Sequence, residues 1–198
     1  MEVLTEKEEE VVKEIIEGAR VVFEKFGLKK TTMEDVARAV GKAKSSLYYY
    51  FPGKYELFEA VVDYEIGQLF LLAQKAVDKA PTAKDKLKAY VKVRLSKIHK
   101  MGNLSQVVKN DILDNMGIVM KIRKKHEVNQ VAMIQKIIGD GVEHGEFKKM
   151  AHGQLCLIAN LFAATFRGIE LPLCANGVSD LAQKADDIIE VMVEGIGK

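Results

Sequence analysis

The chain has 198 residues, of which 48% are apolar and 29% charged, with a formal net charge of +2. That length holds one domain or two small ones, and the near-neutral total does not exclude nucleic acid, since affinity for it arises from local basic patches through counterion release. The start, MEVLTEKEEE, is acidic rather than a signal sequence. No apolar run approaches the ~20 residues of a membrane span. Cys156 and Cys174 lie far apart without CxxC spacing, which argues against a zinc site or disulfide framework and predicts a cytoplasmic protein.

In chain order, Val12, Ile15, Ile16, Ala19, Val22, Phe23 and Phe26 keep an apolar stripe that predicts a first helix stopped at Gly27. A second begins at Thr32, the expected N-cap, with Asp35 three residues on as the reciprocal member of a capping box. Val36, Ala37 and Val40 give this helix one narrow apolar face, and Gly41 ends it where a positive φ lets the chain reverse. The third predicted helix, Lys44 to Tyr50, is too short to be stable alone and too polar to be pure core. Leu47 and Phe51 can anchor it.

This pair of short helices about a glycine turn predicts a helix-turn-helix. Lys44, the Ser45 and Ser46 hydroxyls and the Tyr48-Tyr49-Tyr50 run put small polar groups and flat rings on the second helix, where a major groove is read. Thr32, Lys42, Tyr48 and Lys54 are the candidate phosphate contacts; Lys44, Ser45, Ser46 and Tyr49 are those nearest the bases. Charge sorts the same way. Residues 2 to 24 hold three basic residues against eight glutamates, whereas residues 25 to 54 hold seven basic residues against Glu34 and Asp35.

The run Leu57, Phe58, Val61, Val62, Ile66, Leu69, Phe70, Ala73, Ala76 and Val77 predicts one long connector helix, broken at Ala80-Pro81-Thr82. A basic helix follows from Lys84 to Lys100, with Leu87, Tyr90, Val91, Leu95 and Ile98 inward and seven lysines and arginines outward. Further helices are expected from about Leu104 to Met116, Ile118 to His144 and Ala151 to about Leu171, with Gly117 and Gly145 as breaks and a loop from Pro172 to Ser179. The cluster Lys121, Arg123, Lys124, Lys125 and His126 reads as surface. The helix from Gln154 is apolar nearly all round and the last one carries a clean stripe, so these two, about 154–171 and 178–197, are expected to meet their copies in a four-helix dimer interface.

The residues Phe23 to Gly27, Thr31-Thr32-Met33-Glu34-Asp35-Val36-Ala37, Gly41, Leu47-Tyr48-Tyr49-Tyr50-Phe51, and Lys54 with Leu57 carry a resemblance to the TetR/AcrR family of bacterial transcriptional regulators. It covers roughly the first third of the chain. It departs from the family pattern after the turn, where Lys42 and Ala43 stand in place of a valine and a serine, and at Ser45, where a glycine is common. The resemblance implies an all-α protein of about nine helices: a DNA-binding head at residues 1–53 and a ligand-binding, dimerising body at 54–198, joined by the connector. It implies a homodimer on a near-palindromic double-stranded DNA operator, released by a small-molecule effector of mostly apolar character. Met101, Met116, Met120, Met133, Phe70, Phe162 and Phe166 are candidates for an adaptable lining, while Asp111 and Asp114 read as surface carboxylates. The competing reading is constitutive DNA binding with recruitment of a protein partner.

No catalysis and no cofactor are expected. His99, His126, His144 and His152 lack metal spacing, no GxSxG or phosphate-cradling glycine loop occurs, and Cys156 sits in an apolar helix where thiols are inert.

Overall fold

The computed structural model describes residues 5–98, 112–176 and 185–194. Eight helices account for nearly all of them: α1 (Glu6–Lys30), α2 (Met33–Ala39), α3 (Lys44–Tyr50), α4 (Lys54–Lys79), α5 (Ala83–Ile98), α6 (Ile112–Glu143), α7 (His152–Asn176) and α8 (Ala185–Glu194). The protein is all-helical. α1 packs on α2 and α4, and α2 on α3; beyond the head, α4 lies along α5 and α6, and α5 also meets α7 and α8.

α1 starts with a capping box, Thr5 with Glu8, and loses helical geometry at Gly27, whose φ of 78° is the left-handed conformation expected of a stop glycine. The chain then makes one further turn and buries Leu28. Phe26 does not continue the stripe. It is 51% exposed, because Gly27 turns the chain before a next turn could cover it, and Lys25 Nζ lies 5.1 Å from its ring centre.

Ile15, Ala19 and Phe23 of α1, Val36 of α2, Leu47 of α3 and Leu57, Phe58 and Val61 of α4 interlock as the core beneath the short helices. Phe23 and Phe58 meet edge to face at 5.1 Å. Tyr64 on α4 donates to Glu17 on α1 at 3.0 Å, a second brace between the two helices. The same hydrophobic cluster continues along α4 into the body through Leu69, Ala73 and Val77, and onto Leu87, Val91, Ile134, Ile138 and Phe162. α4 is therefore a packed rod between the two ends of the chain rather than a tether.

Two expected breaks are absent. α6 runs through Gly117 without interruption, since a glycine inside a helix costs about 1 kcal/mol, which neighbouring turns and packing readily offset. α7 continues past Pro172 to Asn176; an internal proline forgoes one backbone bond and strains a turn at about 3 kcal/mol, but the flanking turns keep theirs. Most of the expected helix from Leu104, and the start of the last stripe at Val178 and Leu181, lie outside the described residues.

The basic helix α5 also differs from expectation. Arg94 points inward and is 4% exposed. With the Gln130 amide oriented to face it, Gln130 Oε1 accepts from Arg94 Nη2 at 2.8 Å and Nη1 at 2.5 Å, and the guanidinium lies 5.6 Å from the Tyr90 ring centre. A buried cation must be hydrogen-bonded. Glu65 on α4 is also buried.

Lys121 and Lys125 are exposed, as expected of a surface cluster, but with His126 they also pair with carboxylates of α4. Lys121 pairs with Glu59 at 2.7 Å, and Asp63 takes Lys125 Nζ on one oxygen and His126 Nε2 on the other, each at 2.7 Å. These contacts tie α6 to α4. Burial alone would raise the Asp63 carboxyl, but the hydrogen bonds from Lys125 and His126, with their charges, prevail and hold it below the ordinary carboxylate value. A carboxyl depressed in the folded state contributes stability above its unfolded value, and this is lost as pH falls through the folded one. In urea titrations the wild-type midpoint should therefore fall more than that of Asp63→Asn on going from about pH 5 to about pH 3.

Candidate nucleic-acid interface

The capping box that opens α2 is formed in both directions. Asp35 N–H donates to Thr32 Oγ1 at 3.2 Å, while Thr32 N–H and Oγ1 donate to Asp35 Oδ2 at 3.0 and 2.6 Å. The Thr32 hydroxyl and then its N–H hold the Asp35 carboxyl below the usual carboxylate range. Thr32 is exposed at the head of α2, with both its hydroxyl and its N–H already engaged.

α2 ends in a Schellman turn. Gly41 has φ 64°, its N–H donates to the Arg38 carbonyl at 3.3 Å, and the Lys42 N–H donates to the Ala37 carbonyl at 3.0 Å. Only glycine takes this conformation without penalty. α3 then starts at Ala43 with no side-chain cap, as loss of the expected serine implies.

α3 is seven residues long, about 10 Å at 1.5 Å per residue, and fits within a major groove about 12 Å wide. Leu47 and Phe51, four apart, are buried. Lys44, Ser45, Tyr48 and Tyr49 are exposed; Ser45, Tyr48 and Tyr49 share the face away from the anchors, and Lys44 stands at the start of the helix on the Leu47 side, while Ser46 and Tyr50 are half-buried. Tyr49 and Tyr50 meet edge to face at 4.8 Å, which limits the swing of both rings.

Besides Thr32, three of the candidate contacts have protein partners. Tyr49 donates to Glu8 Oε1 at 3.3 Å. Lys42 Nζ lies 2.8 Å from Glu14 Oε2 and so faces α1. Lys54 Nζ donates to the Lys29 and Thr31 carbonyls at 3.1 and 3.0 Å, where Thr31 Oγ1 also donates to the Gly27 carbonyl at 2.8 Å; Lys54 thus closes the open end of α1 and keeps one of its three protons for another acceptor. Glu8, Glu14 and Glu17 went unread as partners in the sequence. Their signal was the glutamate excess of α1 beside the basic stretch that follows.

In the body, Met133, Phe162 and Phe166 are buried and Phe70 partly so, whereas Met120 is exposed. Tyr90 and Phe162 each meet Phe166 at 6.3 Å, giving an aromatic row between α5 and α7. Met101 and Asp111 lie outside the described residues, as do the side chains of Met116 and Asp114. Among the described residues no three His, Cys, Asp or Glu side chains gather as metal ligands, and no helix is long and apolar enough to cross a membrane.

A three-helix head with a glycine-turned pair, an exposed polar reading face and a packed connector defines a helix-turn-helix DNA-binding regulator. Residues 15–61 match the family model described as bacterial regulatory proteins, tetR family. The head of the chain is thus of the TetR type, and the relatives that match it are transcriptional regulators. The chain is similar to the fatty acid metabolism regulator protein of Bacillus subtilis, 22% identical over 186 residues that cover 92% of this chain and 94% of that one. Among solved structures, a TetR-family transcriptional regulator from Pectobacterium atrosepticum matches with a TM-score of 0.79 at 17% identity, covering 98% of each chain. The transcriptional regulator FadR from Bacillus subtilis, solved in complex with stearoyl-CoA, matches with a TM-score of 0.68 at 21% identity over 93% of this chain and 98% of that one.

Proposed function

We propose that the protein is a homodimeric repressor whose operator affinity falls when a ligand bearing a long apolar chain binds in its body. The observation that carries this reading is the likeness, over nearly the full chain, to a regulator solved with stearoyl-CoA. The buried aromatic row of Tyr90, Phe162 and Phe166 offers chemistry suited to such a chain. Residues 1–53 act as the reading head and 54–198 as the sensing and dimerising body. Ligand binding needs only to favour the arrangement of heads that fits the operator less well, and DNA then weakens ligand binding by the same factor.

Dimerisation is assigned to the last two helices. Leu157 and Leu161 on α7 and Val191 on α8 are exposed apolar side chains, while Ala159, Phe162 and Ile189 fill the chain's own core. A copy packed on that face would set two heads against half-sites a helical turn or more apart on a near-palindromic duplex. At each half-site Lys44, Ser45, Ser46 and Tyr49 would lie nearest the bases, with Tyr48, the remaining Lys54 proton and, once released from Asp35, the Thr32 hydroxyl toward phosphates. The relatives are regulators, in keeping with a binding rather than a catalytic role.

The test is selection of bound duplexes from a random pool, followed by titration of the complex with acyl-CoA thioesters of increasing chain length. Release that strengthens with chain length is the expected result; a complex indifferent to every chain length would turn the assignment toward a constitutive binder that recruits a protein partner. On the selected duplex, Lys44→Ala and Tyr49→Ala should each weaken specific binding by about tenfold or more per half-site, the range of a base contact of ~1–3 kcal/mol. Sedimentation should show the dimer unchanged in both.

A further inference from the structure

In a Schellman turn the residue after the glycine commonly lays an apolar side chain back on its own helix. Here that residue is Lys42. Its backbone closes the turn onto Ala37, but its side chain crosses to α1, where Nζ meets Glu14 Oε2 at 2.8 Å and only 23% of the side chain stays exposed. One turn along α1 from Glu14 stands Gly18, where a Cβ would overlap Val40 Cγ1. Glu14 and Gly18 share a helix face, so the end of α2 is seated on α1 at two adjacent points: a close apolar approach at Gly18 and an ion pair at Glu14.

α3 begins two residues after Lys42. No side chain caps its first turn, and its apolar anchors, Leu47 and Phe51, lie at its middle and end. Without a hold near Lys42, the base-facing start of α3 can pivot about Leu47. We infer that Lys42 is a positioning residue: with Glu14 and Gly18 it docks the turn on α1 and sets the angle at which Lys44 and Ser45 meet the groove, rather than neutralising a phosphate. This rests on the DNA-binding reading of α3.

The two roles predict opposite signs for Glu14. If Lys42 binds phosphate, Glu14 competes for it, and Glu14→Ala tightens DNA binding. If Lys42 positions α3, Glu14→Ala weakens specific binding as Lys42→Ala does. The measurement is affinity against salt for a duplex selected with the wild-type protein and for a scrambled duplex, with Lys42→Ala, Glu14→Ala, the double variant and Lys42→Arg. Both single variants should lose about fivefold on the selected duplex, compounded over two heads, with little change on the scrambled one. The double variant should be no worse than either single one. Lys42→Arg should restore most of the loss, and the salt slope should hold.

A slope reduced by about 1.8 in Lys42→Ala, two phosphate contacts at ~0.9 each, together with tighter binding by Glu14→Ala, overturns the inference, as does an absence of effect in both. Hydrogen exchange on the DNA-free dimer provides an arm independent of any operator. The amides of residues 44–47 should exchange faster in both single variants than in wild type, and unchanged protection in both overturns the docking role even if no duplex is ever selected.

Discussion

Arg94→Met should lower the unfolding free energy by about 1–3 kcal/mol, the cost of leaving a buried neutral acceptor without its donor. Gln130 is 8% exposed, and its carbonyl oxygen receives both donors from the guanidinium. Methionine fills similar space but donates nothing, so a desolvated acceptor is left between α5 and α6, and the Tyr90 ring loses the cation beside it. Urea denaturation measures the loss. The double variant Arg94→Met with Gln130→Leu should recover at least half of it, because replacing both polar partners by apolar groups removes the unmet desolvation cost. No recovery would mean that the guanidinium holds the body together through other contacts.

Gly141→Ala should cost about 3 kcal/mol, the upper part of the range for overpacking a rigid core. Its Cβ would lie 2.5 Å from Phe147 Cε2 and 2.7 Å from Ala83 Cβ, and both residues are buried. Phe147 has little room to retreat. Its N–H and that of Glu146 both donate to the Gly141 carbonyl, at 3.0 and 2.8 Å, in the turn made by Gly145 at φ 74°. Glu146 in turn accepts from the Ala83 and Lys84 amides at 3.0 and 3.3 Å and so caps the start of α5. Displacing Phe147 therefore also loosens that cap. Thermal unfolding reads the stability loss, and faster hydrogen exchange at Ala83 and Lys84 separates cap loosening from general destabilisation; unchanged exchange there would show that the turn moves without the cap.

How much of the site was legible depends on the span of the contacts. The Thr32–Asp35 box, the Gly41 turn and the bounds of α3 all rest on hydrogen bonds between residues three to five apart, and residue type at fixed spacing specifies such bonds. The inward pair Leu47 and Phe51 follows from helical period alone. The partners of Tyr49 and Lys54 are 41 and 23 to 25 residues away, and local spacing carries no information about them. A lysine in a basic stretch reads the same whether it meets a phosphate, a carboxylate or a pair of helix-end carbonyls.

By itself the sequence determined the TetR-type head, the helical class, and the bounds and exposed polar face of α3, because local propensity, capping and apolar periodicity agree there. The tertiary structure alone decided which charges remain available to a ligand. It turned Arg94 inward, drew Lys42 and Lys54 back onto α1, clamped α6 to α4 through Asp63, and carried α6 and α7 through a glycine and a proline that read as breaks. The reason is that burial and pairing depend on which distant helix lies opposite a side chain. Cooperative packing over long helices also exceeds the cost of about 1–3 kcal/mol that a single helix-breaking residue imposes.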